Sequence, residues 1–291
     1  MTGWFLPGPG TALRRVATPR LTMQFAEAGQ GRPVVFLHGL GWDHSLWHPT
    51  LTRLAPRYHA IAGDTRGHGG SDAPDEPYDI AMFAQDWAAL LDALGLREVC
   101  LVGLSQGGMV AQRLAAERPD LVAALVLVAT ACHTDPAGEA KMEARLQAMA
   151  EAGPEAAAVV AAESIFSPGW RQARPGELAR FIAWRKAMPA GPIAAATRAA
   201  FGMDLRPMLP GIAVPVLVVS GDADRLTPLA AQAEIAALIP RAGHSIVAGA
   251  GHIIPVEQPD TFVALLDGFL AAAFPPAAPA GADTRETHSH G

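Results

Sequence analysis

Ser105 stands in Gly103-Leu104-Ser105-Gln106-Gly107, a Gly-x-Ser-x-Gly spacing whose serine hydroxyl could attack a carbonyl carbon. The apolar run Val99-Cys100-Leu101-Val102 precedes it, and Gly108 to Arg118 reads as a helix ending before Pro119. Strand, sharp turn and helix in that order make a nucleophile elbow. The flanking glycines leave room for a strained backbone, so Oγ projects from the tip of the turn. A plain glycine-rich turn with a solvated serine is the competing reading, and the strand–helix context weighs against it.

A serine hydroxyl becomes a good nucleophile when a neighbouring base takes its proton, and a carboxylate fixes the tautomer of that base. Behind a nucleophile elbow the partners follow in the order serine, acid, histidine. Among the ten histidines, His252 in Gly249-Ala250-Gly251-His252 suits the base best, because it lies in a late loop after a strand-like segment. His44, His48, His59 and His68 precede the serine, and His244 is expected just before the last strand, at the wrong end of it. For the acid, Gly221-Asp222-Ala223-Asp224 offers two carboxylates, and position alone leaves both open. A tetrahedral oxyanion also needs two donors. The backbone N–H of Gln106 is one; Leu40, in His38-Gly39-Leu40-Gly41-Trp42 after the strand Val34–Leu37, is expected to supply the other. His38 is read as shaping that loop.

The elements that would position these groups alternate. Short apolar runs at Val34–Leu37, Ala60–Asp64, Val99–Val102, Leu125–Ala129 and Val216–Ser220 are separated by helical patterns such as Ile80–Leu94. That rhythm predicts an α/β fold with a mostly parallel central sheet and helices on both faces. Leu21–Ala26 reads as an early antiparallel strand, and Ser245–Ala248 as a short last one. Between His133 and about Leu205 strand signals vanish, and helical patterns run through Glu139–Ala150, Glu155–Ile165, Glu177–Met188 and Ile193–Phe201. The expected organisation is a core from 1–132 and 206–274, a helical lid (cap) inserted at 133–205, and a disordered tail at 275–291. Trp42, Trp170 and Trp184 are candidate substrate contacts, although helical spacing favours core packing for the lid aromatics.

Composition narrows the class. The 291-residue chain is 50% hydrophobic and carries a net charge of -6, so it has ample core and no basic surplus for a nucleic-acid partner. Its two cysteines, Cys100 and Cys132, each end an apolar stretch and suggest small buried side chains rather than a disulfide or metal site. No signal peptide or membrane-spanning run is evident, and a cytoplasmic location is the expectation.

Over nearly its full length the chain resembles the α/β-hydrolase superfamily, through His38-Gly39-Leu40-Gly41, Asp64 to Asp72, the elbow, Gly221 to Pro228 and Gly251-His252. The resemblance implies that the acid is Asp224, three residues past the glycine, completing a catalytic set of Ser105, Asp224 and His252. It is most similar to 3-oxoadipate enol-lactonases, in the elbow and its helix, in Asp204-Leu205-Arg206-Pro207, and in Val256-Glu257-Gln258-Pro259. The implied activity is serine hydrolysis of a carboxylic ester or lactone as a small-molecule substrate, with neither metal nor organic cofactor. The alternatives are a carbon–carbon hydrolase of ring-cleavage products and, from another class, a small-molecule receptor that retains the triad. The sequence leaves the oligomeric state open.

Overall fold

The computed structural model describes residues 6–276. The expectations for the first five residues and for the tail beyond residue 276 lie outside the described residues. The elements run β1 (Ala12–Ala17), β2 (Thr22–Ala28), β3 (Pro33–Leu37), α1 (His48–Leu54), β4 (His59–Gly63), α2 (Ile80–Ala93), β5 (Val99–Leu104), α3 (Gln106–Glu117) and β6 (Val122–Val128). Then follow α4 (Pro136–Ile165), α5 (Pro168–Ala173), α6 (Pro175–Arg185), α7 (Ala190–Arg198), β7 (Val216–Gly221), α8 (Leu229–Leu238), β8 (Ala242–Val247), α9 (Ile254–Glu257) and α10 (Pro259–Ala273). The eight strands form one sheet in the order β1-β2-β4-β3-β5-β6-β7-β8. Only the pairings of β1 with β2 and of β2 with β4 are antiparallel.

The sheet interior explains why its central strands read as continuous apolar runs. Alternate side chains of a strand point to opposite faces. Val35 and Leu37 of β3 join Leu101, Leu125, Leu127 and Val218 beneath α2, α3 and α8. Val34 and Phe36 join Val102, Val126, Val128 and Val219 beneath α1 and α10. With both faces covered, neither set of positions can be polar. The parallel strands β3 to β8 also bring their carboxyl ends to one edge, where the loops carrying Leu40, Ser105, Asp224 and His252 emerge.

Two strands depart from the sequence expectation. β1 carries no inward-facing pattern because it is an exposed edge strand: Leu13 is 58% exposed, and Arg14 and Arg15 face outward to Glu27 and Asp72. β8 begins at Ala242, so His244 lies inside that strand rather than ahead of it, with Nε2 2.7 Å from Ser220 Oγ. An edge strand open on one side tolerates the Gly-His-Ser run that hides it from a hydrophobicity reading.

Between β6 and β7 the chain leaves the sheet for α4 to α7. Entry and exit are stapled together: Thr134 N donates to Met203 O at 2.9 Å, and Leu205 N to Cys132 O at 2.8 Å. The expected break in the first long helical stretch falls at Gly153, whose φ of 83° precedes Pro154 and kinks α4. A buried ion pair anchors the loop after β4 on the other side. Asp86 of α2, wholly buried, accepts from Arg66 Nε (2.6 Å) and Nη2 (2.9 Å) and from Arg20 Nε (2.6 Å). Among the described residues, no helix is long and apolar enough to cross a membrane.

Candidate active site

Ser105 caps α3 with φ 52° and ψ -119°, a conformation that side-chain-bearing residues rarely adopt. Its surroundings over-determine that geometry. Ser105 N donates to Val128 O at 2.8 Å, while Gly108 N (2.8 Å) and Thr130 Oγ1 (2.7 Å) donate to Ser105 O. The flanking glycines are there for close approach. A Cβ on Gly103 would lie 2.5 Å from Gly107 O, and one on Gly107 would lie 2.4 Å from Leu37 O. The strained turn therefore rests directly on the neighbouring strand and helix.

Of the two carboxylates in the loop after β7, the structure pairs Asp224 with the histidine: His252 Nδ1 lies 2.9 Å from Asp224 Oδ2. The Asp224 side chain is wholly buried, and its Oδ1 accepts from Leu226 N (2.8 Å) and Thr227 N (3.0 Å). Asp222 instead accepts from Gly249 N at 2.6 Å and ties the two loops together. Thr227 Oγ1 donates to Ala129 O at 3.3 Å, linking the acid loop to the residue before Thr130, which holds Ser105. Among the described contacts the Ser105 hydroxyl makes no hydrogen bond to His252. Such bonds often tighten only once substrate is in place.

The loop after β3 passes over the serine, since a Cβ on Gly39 would lie 3.2 Å from Ser105 Cβ. Two buried neutral histidines shape it. His38 Nδ1 pairs with Gly39 O at 2.8 Å, and its Nε2 accepts from Thr65 N at 3.0 Å. His68 Nε2 accepts from Gly41 N at 3.1 Å, with Nδ1 3.1 Å from Arg66 O. Burial, the main cause in each case, holds both pKa values down, that of His68 to about 3. Among the described residues no protein oxygen accepts from the amide of Leu40 or of Gln106. Both amides are thus open donors, that of Gln106 at the N-terminus of α3, where the helix dipole favours negative charge.

Several supporting residues carry no sequence signal of their own, because their roles exist only across long chain separations. Glu257 accepts from Gly251 N and Ser167 N, each at 3.1 Å, and His252 N donates to Ile165 O at 3.0 Å. The histidine loop is thereby tied to the end of α4 and the start of α5. The side chain of Gln106 donates to Ala196 O in α7 at 2.6 Å. Trp42 packs with its ring centroid 5.1 Å from Phe181 and 5.3 Å from Trp184, beside the Leu40 loop. Trp170 stacks on Phe166 at 4.1 Å, with the rings nearly parallel. The two cysteines are free and buried. Cys132, His133 and Glu234 gather their ligand-capable atoms within 4.8 Å. Burial pushes the Cys132 thiol up to about 12, and Arg206 Nη1, 4.0 Å from Glu234 Oε1, offsets that carboxylate.

Asp64, wholly buried just after β4, ties together β2, the His44 turn and the Gly70 loop. It accepts from His44 N (2.7 Å), Gly70 N (2.8 Å) and Gln24 Nε2 (3.1 Å), and its Oδ1 lies 2.8 Å from His44 Nδ1. Burial works against both charges, but the mutual hydrogen bond and attraction outweigh it, raising the His44 pKa and lowering that of Asp64. The Asp64 contribution to stability is therefore present above the unfolded carboxylate value of about 3.9 and lost as pH falls through its lower folded value. The His44 contribution is complete below about 6.5 and lost as pH rises through the higher folded value. Urea unfolding of the wild type and His44→Gln across pH should show the variant's deficit, about 1.5–3 kcal/mol, greatest between those limits. A deficit independent of pH would remove the charged pair.

The sequence model of the alpha/beta hydrolase fold matches residues 32–259. The chain is 33% identical over 247 residues to 3-oxoadipate enol-lactonase 2 of Acinetobacter baylyi, covering 83% of this chain and 90% of that protein. It is 30% identical over 268 residues to 2-(acetamidomethylene)succinate hydrolase of Mesorhizobium japonicum, covering 89% and 95%. The crystal structure of the enol-lactonase from Burkholderia xenovorans superposes with a TM-score of 0.82 at 28% identity, covering 89% of this chain and all of that one.

Proposed function

Because the chain belongs to the alpha/beta hydrolase fold family, we propose that it is a serine hydrolase cleaving a carboxylic ester or lactone through an acyl-enzyme. The observation that carries this is the 2.9 Å pairing of His252 Nδ1 with Asp224, on the sheet edge that also presents the strained Ser105. With Nδ1 engaged, Nε2 is the nitrogen left to take the serine proton. Ser105 Oγ attacks the carbonyl carbon as the proton passes to His252. The oxyanion is received by the amides of Leu40 and Gln106, each such donor being worth about 3 kcal/mol. His252 then protonates the departing alkoxide oxygen, and water, deprotonated by the same imidazole, releases the acid and restores Ser105. Asp224 holds the imidazole in orientation and stabilises the imidazolium.

In this reading α4 to α7 form a cap over the site, and Trp42 and Trp184 give it an apolar wall. The enol-lactonase and succinate-derived hydrolase relatives support acyl chemistry on this scaffold. The test is a turnover panel of aryl esters, saturated lactones and enol-lactones, run beside labelling with a sulfonyl fluoride. Turnover of at least one class with one covalent label at Ser105 is expected. Failure of every acyl substrate together with stoichiometric ligand uptake would replace the enzyme by a binding protein.

A further inference from the structure

Where the chain leaves β6 for the helical excursion, Cys132 and His133 stand side by side, and Glu234 of α8 meets them. His133 Nδ1 lies 3.4 Å from Glu234 Oε2 and 3.8 Å from Cys132 Sγ. All three ligand-capable atoms fall within 4.8 Å of one another. A charged hydrogen bond from imidazole to carboxylate is shorter, about 2.8 Å. Around a tetrahedral zinc ion, by contrast, bonds of about 2.0–2.3 Å set the ligand atoms about 3.4–3.6 Å apart. The separations at His133 are therefore close to those of atoms sharing one ion.

The surroundings suit a cation that prefers sulfur and nitrogen. Arg206 holds Asp204 through Nε at 2.9 Å and Nη2 at 2.7 Å, which commits that carboxylate elsewhere. Its Nη1 stands 4.0 Å from Glu234 Oε1, so the guanidinium orients the carboxylate and leaves Oε2 toward His133. Cys132 is buried, whereas the side chains of His133 and Glu234 are 27% and 34% exposed. An ion therefore has a path from solvent, and a water can complete its coordination. One thiolate and one carboxylate balance a divalent charge, so Arg206 faces a neutral centre. In the free protein burial keeps the thiol protonated. On coordination the S–H bond breaks, its proton leaves to solvent, and a metal–sulfur bond forms.

We propose that Cys132, His133 and Glu234 form a binding site for a thiophilic divalent cation, zinc above all, at the root of the helical excursion. Sulfur and imidazole beside one carboxylate select zinc over magnesium or calcium, which take oxygen ligands. None of the three residues belongs to the catalytic set, and the inference is independent of the hydrolase reading. His133 pairs with Asp204 in a β-bridge across the entry and exit of α4 to α7, while Glu234 belongs to the core. An ion held between them clamps the base of the excursion to α8. Glu234 arrives from far along the chain, so the spacing of the cysteines carries no metal-binding pattern.

The experiment titrates chelator-treated full-length protein with zinc chloride alone, by calorimetry. His288→Gln and His290→Gln are installed throughout, so that zinc held by those two histidines does not count. One equivalent should bind with a Kd in the micromolar range or below, weakened roughly tenfold or more by each of Cys132→Ser, His133→Gln and Glu234→Gln. Zinc at about a hundred times Kd should raise Tm by about 5–8 °C, and by less in each variant at the same concentration. Cobalt(II) in place of zinc should give the visible bands of a tetrahedral centre and a thiolate charge-transfer band that Cys132→Ser removes. Absence of a one-to-one site overturns the proposal. So does binding that any one of the three substitutions leaves unchanged, or a cobalt spectrum without the sulfur band. Should Cys132→Ser not fold, the two partly exposed positions and the cobalt spectrum of the parent protein decide the matter. No readout depends on turnover, so the hydrolase reading can fail without touching this one.

Discussion

Ser105→Ala should abolish turnover, lowering kcat by roughly 10⁴- to 10⁶-fold, the range seen when a serine nucleophile is removed from a triad. The size of the effect reflects the mechanism rather than the fold. The hydroxyl makes none of the described hydrogen bonds that hold the turn. Those belong to the backbone of Ser105, to Gly108 N and to Thr130 Oγ1. Alanine inherits the same φ of 52°, so its melting temperature should match that of the wild type to within a few degrees. Steady-state kinetics and a thermal melt on one preparation check both halves. A variant that retained more than about a hundredth of wild-type kcat would remove the nucleophile from the mechanism.

Asp224→Asn should be nearly as damaging, about 10⁴-fold in kcat, because it freezes the base in the wrong tautomer. The local bonding dictates the outcome. Oδ1 is committed to the amides of Leu226 and Thr227, so an asparagine would keep its oxygen there and turn its NH₂ toward His252 Nδ1. The imidazole would then carry its proton on Nε2 and could not accept one from Ser105. Asp222→Asn is the matched control. Its carboxylate serves Gly249 N, so the loss should stay within about tenfold and be structural in origin. Equal losses at the two positions would contradict the pairing of Asp224 with the base.

The same pair marks how far the sequence could be read. Spacing narrowed the acid to two residues in one loop, and family likeness favoured the second. The bond that separates them spans from residue 224 to residue 252 and has no local signature. The elbow was legible because a buried strand, a serine between glycines and a helix are adjacent in the chain. The central strands were legible because burial on two faces forbids polar residues. β1 was not, since an exposed edge strand with Arg14 and Arg15 has no alternation to detect. Thr130 was equally silent, and Glu257 stood in a segment of family likeness that gave no hint of its role. Each acts through a partner far along the chain.

The ties between the helical excursion and the catalytic loops carry a mechanical consequence. Ile165 and Ser167 grip the segment around His252 directly and through Glu257, while Ala196 O accepts a hydrogen bond from Gln106, the residue after Ser105. A rigid outward swing of all four helices would therefore pull on the imidazole and on the helix start behind the serine together. Under the proposed cap and triad, admission of a ligand and competence for proton transfer would thus be interlocked, and whatever unlatched the roof would also detune the machinery beneath it.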